Sequence, residues 1–163
     1  MFRKFDVDGG AEISLLEFLH DVHLQFDAMT FKIFCVIDAH RDNSITFREF
    51  ILFSWQFCTL AGDGINHFAF DMYDEDKEGR LSKEELRKVL TKVHGKGHVE
   101  SKLKALFEVM DTGHSKDISR SEFITHVKHF PALVFPIFAI QDKLRQAIIG
   151  ESYWRGLEES SIK

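Results

Sequence analysis

From Asp74 to Glu85 the chain reads Asp-Glu-Asp-Lys-Glu-Gly-Arg-Leu-Ser-Lys-Glu-Glu, with oxygen-bearing side chains at the first, third, fifth, ninth and twelfth places. A hard cation of calcium's size takes six to eight oxygens at about 2.3–2.6 Å, and a short loop supplies them only by folding back on itself. Gly79, at the sixth place, permits the sharp turn because it has no Cβ to clash at positive φ. Glu85 arrives last, on the first turn of the following helix, where it can give both oxygens at once. The candidate ligands are Asp74, Asp76, Glu78, Ser82 and Glu85, with the backbone carbonyl of Arg80. Ca²⁺ is the expected ion, and Mg²⁺ is a competitor that prefers tighter octahedral geometry. Leu81, at the eighth place, should point away from the ion and pair with a neighbouring loop. The plainer reading is a solvated acidic turn between two helices, and the number of matched positions argues against it.

The pattern repeats. Aligning on the apolar eighth and acidic twelfth places finds three more copies, starting at Asp6, Asp38 and Asp111. The first offers Asp6, Asp8, Glu12, Ser14 and Glu17; the second offers Asp38, Asp42, Ser44, Thr46 and Glu49; the fourth offers Asp111, Ser115, Asp117, Ser119 and Glu122. Each copy has Phe or Leu straight after its closing glutamate, at Phe18, Phe50, Leu86 and Phe123. Successive starts are 32, 36 and 37 residues apart, room for a helix out and a helix in. These features resemble the EF-hand superfamily, from the start of the chain to about residue 130. The resemblance implies an all-α fold of four helix-loop-helix units in two paired lobes. Ile13 should pair with Ile45 and Leu81 with Ile118 as short β bridges.

The departures grade the copies. Loop one has Gly10 at the fifth place, losing a side-chain ligand, and Ala11 at the sixth, where positive φ costs a residue with a Cβ roughly 1 kcal/mol. Loop two has His40 at the third place, a poor partner for a hard cation, and Asn43 at the sixth, where asparagine is tolerated. Loop four has Gly113 at the third and Lys116 at the sixth, losing a ligand and the turn residue and adding a positive charge. Loop three is therefore the expected strong site and loop one a weaker one. Loops two and four are expected to persist chiefly as structural partners.

Composition narrows the class. A net charge of −5 over 163 residues argues against a nucleic-acid surface. Cys35 and Cys58 sit in apolar helical runs, with no disulfide framework or zinc spacing, which fits a reducing, cytoplasmic setting. No apolar run approaches the roughly 20 residues that span a bilayer, so membrane association is expected only through a partner. No nucleophile elbow, phosphate loop or HExxH is present, and no catalysis is expected. Only Met1–Phe5 precedes the first loop, so the first entering helix is read as a stub or a truncation.

Periodicity places the helices. The segment Phe47–Leu60 carries Phe50, Ile51, Phe53, Trp55 and Phe57 and is apolar on almost all sides. Phe50, Phe53, Trp55 and Phe57 are the candidate lining of a partner groove. Ala61-Gly62-Asp63-Gly64 breaks the chain, giving a first hand pair over 1–60, a linker over 61–64 and a second pair over 65–130. A C-terminal extension follows over 131–163. In it, Pro136 to Ile149 reads as an amphipathic helix opened by Pro136 and stopped by Gly150, with Ile137, Ile140, Leu144 and Ile148 on one stripe. This helix is read as a built-in ligand filling the groove, with an ordinary extra packed helix as the alternative and a membrane-surface helix as a third reading that two or three basic residues support only weakly. Tyr153, Trp154 and Leu157 extend its apolar character as a tail or partner contact.

Phe70 to Ser82, together with the helical extension beyond the fourth loop, is similar to the calcineurin B and neuronal calcium sensor branch. That resemblance implies a calcium-dependent regulatory or adaptor protein holding an amphipathic helix of a target: an enzyme, channel, transporter or cytoskeletal protein. The alternative is a constitutive light-chain-like scaffold with one stabilising ion. Met1-Phe2 lacks the second-position glycine of the myristoylated members, and loops two and four depart from the intact pattern of calcineurin B.

Overall fold

The computed structural model describes residues 2–148 and Gly150. Tyr153, Trp154 and Leu157 lie outside them. Contacts divide the chain into two units, Met1–Leu60 with Ala139–Lys163, and Ala61–Phe138.

The first unit opens with α1 (Phe2–Phe5), β1 (Glu12–Ser14), α2 (Leu15–Asp21), α3 (Ala28–Ile37), β2 (Ser44–Thr46) and α4 (Phe47–Thr59). The stub α1 is too short to persist alone. It is held by rings instead: Phe5 is fully buried with its centroid 4.7 Å from Phe50, and Phe2 lies edge-on to Phe47 and Phe50. The strands β1 and β2 run antiparallel with Ile13 opposite Ile45, and both side chains are fully buried.

The second unit contains α5 (Asp63–Tyr73), β3 (Arg80–Leu81), α6 (Lys83–His94), α7 (Val99–Met110), β4 (Ile118–Ser119) and α8 (Arg120–His126). Leu81 pairs with Ile118 across its two-residue bridge. The glycine-bearing breaks behave as turns, with Gly62 and Gly95 at φ +52° and +72°. Arg120 ties α8 to α5, bonding Asp71 at 2.5 Å while its guanidinium stacks on the Phe70 ring. Two short 3₁₀ turns, Val127–His129 and Pro131–Leu133, follow α8. The second packs on α6, and the Tyr73 hydroxyl donates to the Leu133 carbonyl. The fold is thus all-α, with paired helix-loop-helix units, short β bridges and a further helix at the C-terminal side.

That helix, α9 (Phe135–Ile148), begins one residue before the expected start, so Pro136 is its second residue. Proline is tolerated there because a first-turn N–H has no intrahelical acceptor. The stretch from residue 131 is not a body of its own: through Phe138 it groups with the second unit, and from Ala139 with the first. Ile137, Ile140 and Leu144 are buried and Ile148 is half-buried. Within the first unit, buried Gln141 donates to the carbonyls of Phe57 and Leu60 at 2.7 and 3.0 Å, and Arg145 donates to that of Cys58 at 2.8 Å. These bonds satisfy carbonyls at the end of α4, where Phe57 otherwise accepts only from the Leu60 N–H at 3.3 Å. Lys143 reaches the His23 carbonyl at 2.7 Å.

The outward side of α4 differs from the expectation for a groove. Phe53 and Phe57 stack with centroids 5.1 Å apart and are buried, and Phe50 is taken up beneath α1. Trp55 is 59% exposed, alongside exposed Phe47 and Leu52.

Candidate metal centre

All four loops share one local device. The ninth residue caps the exiting helix and the twelfth closes a capping box with it, in the pairs Ser14–Glu17, Thr46–Glu49, Ser82–Glu85 and Ser119–Glu122. Each hydroxyl accepts from the glutamate's backbone N–H while the carboxylate reaches back to the cap. The closing glutamate is therefore fixed in place by helix capping, before any ion is considered. The sixth residues Ala11, Asn43, Gly79 and Lys116 all take positive φ, between +67° and +77°. So do the fourth residues, Gly9, Arg41, Lys77 and His114. The sequence reading found the sixth place and missed the fourth, where only loop one carries the glycine that would have signalled it.

Loop three gathers its acids. Ligand oxygens of Asp74, Asp76 and Glu85 lie within 4.8 Å of one another. Asp74 is 2% exposed; its Oδ2 accepts from the Gly79 N–H at 3.0 Å, while its Oδ1 is buried without a protein donor. Glu85 accepts from the Glu75 N–H at 2.7 Å and from the Ser82 N–H and hydroxyl at 2.9 and 2.7 Å. Glu78 stands exposed at the fifth place, and Arg80 lies in β3, where its carbonyl belongs to the loop's seventh place.

Loop one repeats the arrangement. Asp6, Asp8 and Glu17 also bring oxygens within 4.8 Å of one another. Asp6 accepts from the Ala11 N–H at 3.1 Å through Oδ2, and its Oδ1 is buried with no donor. Bonds from the Ser14 N–H and hydroxyl, then from the Asp8 and Val7 N–H groups, hold the Glu17 carboxyl down at about 2. The Glu12 side chain is turned aside, accepting from the Ser44 hydroxyl of loop two at 2.6 Å.

Loops two and four are built differently. Both oxygens of Asp38 are engaged, by the N–H groups of Asp42 and Asn43. Asp42 accepts from the Ser44 N–H at 3.2 Å. His40 turns its Nδ1 onto Glu49 at 2.7 Å. Burial pushes the Glu49 carboxyl up, but bonds from Thr46 and His40 outweigh it and hold it at about 2. In loop four both oxygens of Asp111 accept from the N–H groups of Ser115 and Lys116, and the Ser115 hydroxyl donates to the Asp117 carbonyl. Glu122 accepts from the Thr112 hydroxyl and the Gly113 N–H at 2.9 Å each. Burial raises its carboxyl too, and bonds from Ser119, Gly113 and Thr112 bring it to about 2. Among the described residues, the groups of three or more ligand side chains close enough for one metal are those of loops one and three.

The donor set of these two loops fits Ca²⁺. A buried carboxylate oxygen without a donor is costly, by about 1–3 kcal/mol or more, and three converging carboxylates repel one another. A divalent cation relieves both. Asp74, Asp76 and Glu85, and Asp6, Asp8 and Glu17, are the residues that would hold it.

An EF-hand domain pair matches residues 66–128, which contain loops three and four. The type 2 calcineurin B protein of Bos taurus is 33% identical over 133 residues, covering 78% of each chain. The chain belongs to the EF-hand family, in its calcineurin B branch. The calcineurin B protein of Naegleria gruberi is likewise 33% identical over 135 residues, covering 78% of this chain and 75% of its own. The plasmodial-specific protein LAV1-2 of Physarum polycephalum is 33% identical over 126 residues, which make up 34% of that longer protein. As a calcineurin B-like protein, this chain has its calcium-type loops in pairs, one loop of each pair with an open acid cluster and one closed by its own side chains.

Proposed function

We propose that the protein is a Ca²⁺-responsive regulatory subunit, without catalysis of its own, that holds an amphipathic helix of a target protein. Buried, unpartnered oxygens of Asp6 and Asp74 are the observation that carries the ion-binding half of this reading. Loop three is the tighter site because it keeps Glu78 and Gly79 where loop one has Gly10 and Ala11. Loop one takes a second ion, more weakly, and Mg²⁺ competes at both.

The target half rests on α9. Burying Ile140 and Leu144, which group with the first unit, contributes roughly 3–6 kcal/mol before ordering costs, enough to hold the helix down and within reach of a better-fitting competitor. Gln141 and Arg145 add directional bonds to the carbonyl end of α4. In this reading α9 is a resident ligand of the first unit, beside the stacked Phe53 and Phe57, and a target helix replaces it. The calcineurin B relatives are named as subunits, hence as parts of a larger assembly, which supports a protein partner over a nucleic acid. No helix among the described residues is long and apolar enough to cross a membrane. We place the protein in the cytoplasm, reaching membranes only through its partner.

One observation favours a second reading, a constitutive scaffold with ions that only stabilise the fold. Loops two and four are satisfied by His40, Thr112 and backbone N–H groups, so half of the hands need no ion. The full-length protein, titrated with a basic amphipathic helical peptide with and without Ca²⁺, separates the two. A sensor binds the peptide at least tenfold tighter with Ca²⁺, and Leu144→Asp raises the ion-free affinity by freeing α9. Equal affinity with and without Ca²⁺ would leave the scaffold.

A further inference from the structure

A cavity of about 290 Å³ opens in the second unit, between the C-terminal half of α6, the middle of α7 and the turns that follow α8. Its floor is apolar, made by Leu90, Leu106 and Leu133, each at most 4% exposed. Its mouth carries His94, Lys102 and His129, and no acidic side chain lines it. In a chain of net charge −5 this is a local reversal of sign. Among the described residues none of these three basic groups is held in an ion pair, although Lys83, Arg87, Lys88 and Arg120 elsewhere in this unit each engage an acid or an aromatic ring.

We propose that this cavity binds a small apolar carboxylate, its body on the leucine floor and its carboxylate at the Lys102 ammonium between the two imidazoles. Ligand cavities combine such an apolar lining with a few convergent polar groups that fix orientation. At roughly 30 Å³ per small group, the volume admits about ten non-hydrogen atoms, the size of octanoate. An ammonium at a half-enclosed apolar mouth attracts a carboxylate more strongly than it would in open water, because fewer waters screen the pair. A neutral alcohol of the same length keeps the floor contacts and loses the charge contact. A cationic amine meets the Lys102 ammonium, a group of its own sign. None of its lining residues belongs to loop one or loop three, and the site does not depend on the target-helix reading.

The test is a titration of the full-length, Ca²⁺-loaded protein with octanoate, followed by amide and methyl NMR, with 1-octanol and octylamine as comparison ligands. Octanoate should shift the signals of Leu90, Leu106 and Leu133 and bind at least tenfold tighter than 1-octanol, with octylamine weaker still. Lys102→Gln, at an exposed position, should bring octanoate down to the level of 1-octanol without changing the alcohol. Ala105→Trp, which fills the cavity from α7, should abolish both. Octanoate binding no better than the alcohol, shifts confined to residues outside the cavity, or indifference to Lys102→Gln and Ala105→Trp would each overturn the proposal.

Discussion

In loops one and three the first-place aspartate keeps one buried oxygen with no protein donor, whereas in loops two and four the same residue accepts two backbone N–H groups. The closing glutamates diverge in parallel. Those of loops two and four receive an extra side-chain donor, His40 Nδ1 or the Thr112 hydroxyl, placed where an ion would compete for the same oxygen. Yet all four loops keep the same capping box, the same two positive-φ places and the same β bridge to a neighbour. The scaffold of the hand and its ion chemistry are thus separable. Capping, bridge and turn need only hydroxyl, glutamate and an apolar eighth residue, while the ion needs converging oxygens that the protein itself leaves unsatisfied.

The largest expected effect tests the ion side. Glu85→Gln replaces a bidentate carboxylate by an amide, and loop three should lose ion affinity by roughly 100-fold or more, following ligand charge. The same change at Glu49 or Glu122 should leave Ca²⁺ stoichiometry untouched. Calorimetry on the three variants reads this directly, and equal losses in all three would erase the distinction between loops.

His40→Asp should convert loop two towards loop one, removing the internal donor to Glu49 and supplying a third-place oxygen. A new site, or a gain of roughly tenfold in the weakest observed affinity, is expected. An unchanged binding isotherm would mean that Asp38, with both oxygens engaged, is what closes the loop.

Much of this was legible in the chain and some was not. The twelve-residue frame, the helices, and the pairings Ile13–Ile45 and Leu81–Ile118 follow from spacing and apolar periodicity, which are local signals. The departures from the loop pattern at His40, Gly113 and Lys116 were also readable. That His40 and Thr112 would turn onto the closing glutamates was not, because it depends on how the loop folds back over nine or ten residues. The fourth-place left-handed residues were missed because Arg41, Lys77 and His114 carry no conformational signature. Phe50 and Trp55 stand five residues apart on α4 and group together by composition, but α1 covers one and leaves the other exposed. Gln141 lies off the apolar stripe of α9, yet it is buried on the α4 carbonyls, which the stripe alone does not reveal.

Acid should act on the glutamates that the protein satisfies by itself. In ion-free buffer Glu17, Glu49 and Glu122 have folded values near 2 against an ordinary 4.5. Their folded values are depressed, so the stability they contribute is present above about pH 4.5 and is lost as pH falls through 2. Urea unfolding midpoints should decline across that window, and the double variant Glu49→Gln, Glu122→Gln should flatten the decline. A decline of unchanged depth in the double variant would place the acid sensitivity elsewhere.

The smallest effect concerns backbone strain. Lys116→Gly removes a Cβ from a residue at φ +74° and should stabilise the ion-free protein by up to about 1 kcal/mol, a rise in Tm of roughly 2–4 °C. Gly79→Ala, at φ +77° with open space around its Cβ, should cost a similar amount through φ alone.

The separation of scaffold from ion chemistry can be read at four equivalent amides. The N–H groups of Ala11, Asn43, Gly79 and Lys116 each donate to the first-place aspartate of their own loop, at 2.9–3.1 Å. In an amide NMR titration of the full-length protein with Ca²⁺, Gly79 should shift first and Ala11 second, with Asn43 and Lys116 nearly still. Large shifts at Asn43 or Lys116 on addition of Ca²⁺, or none at Gly79, would contradict that separation.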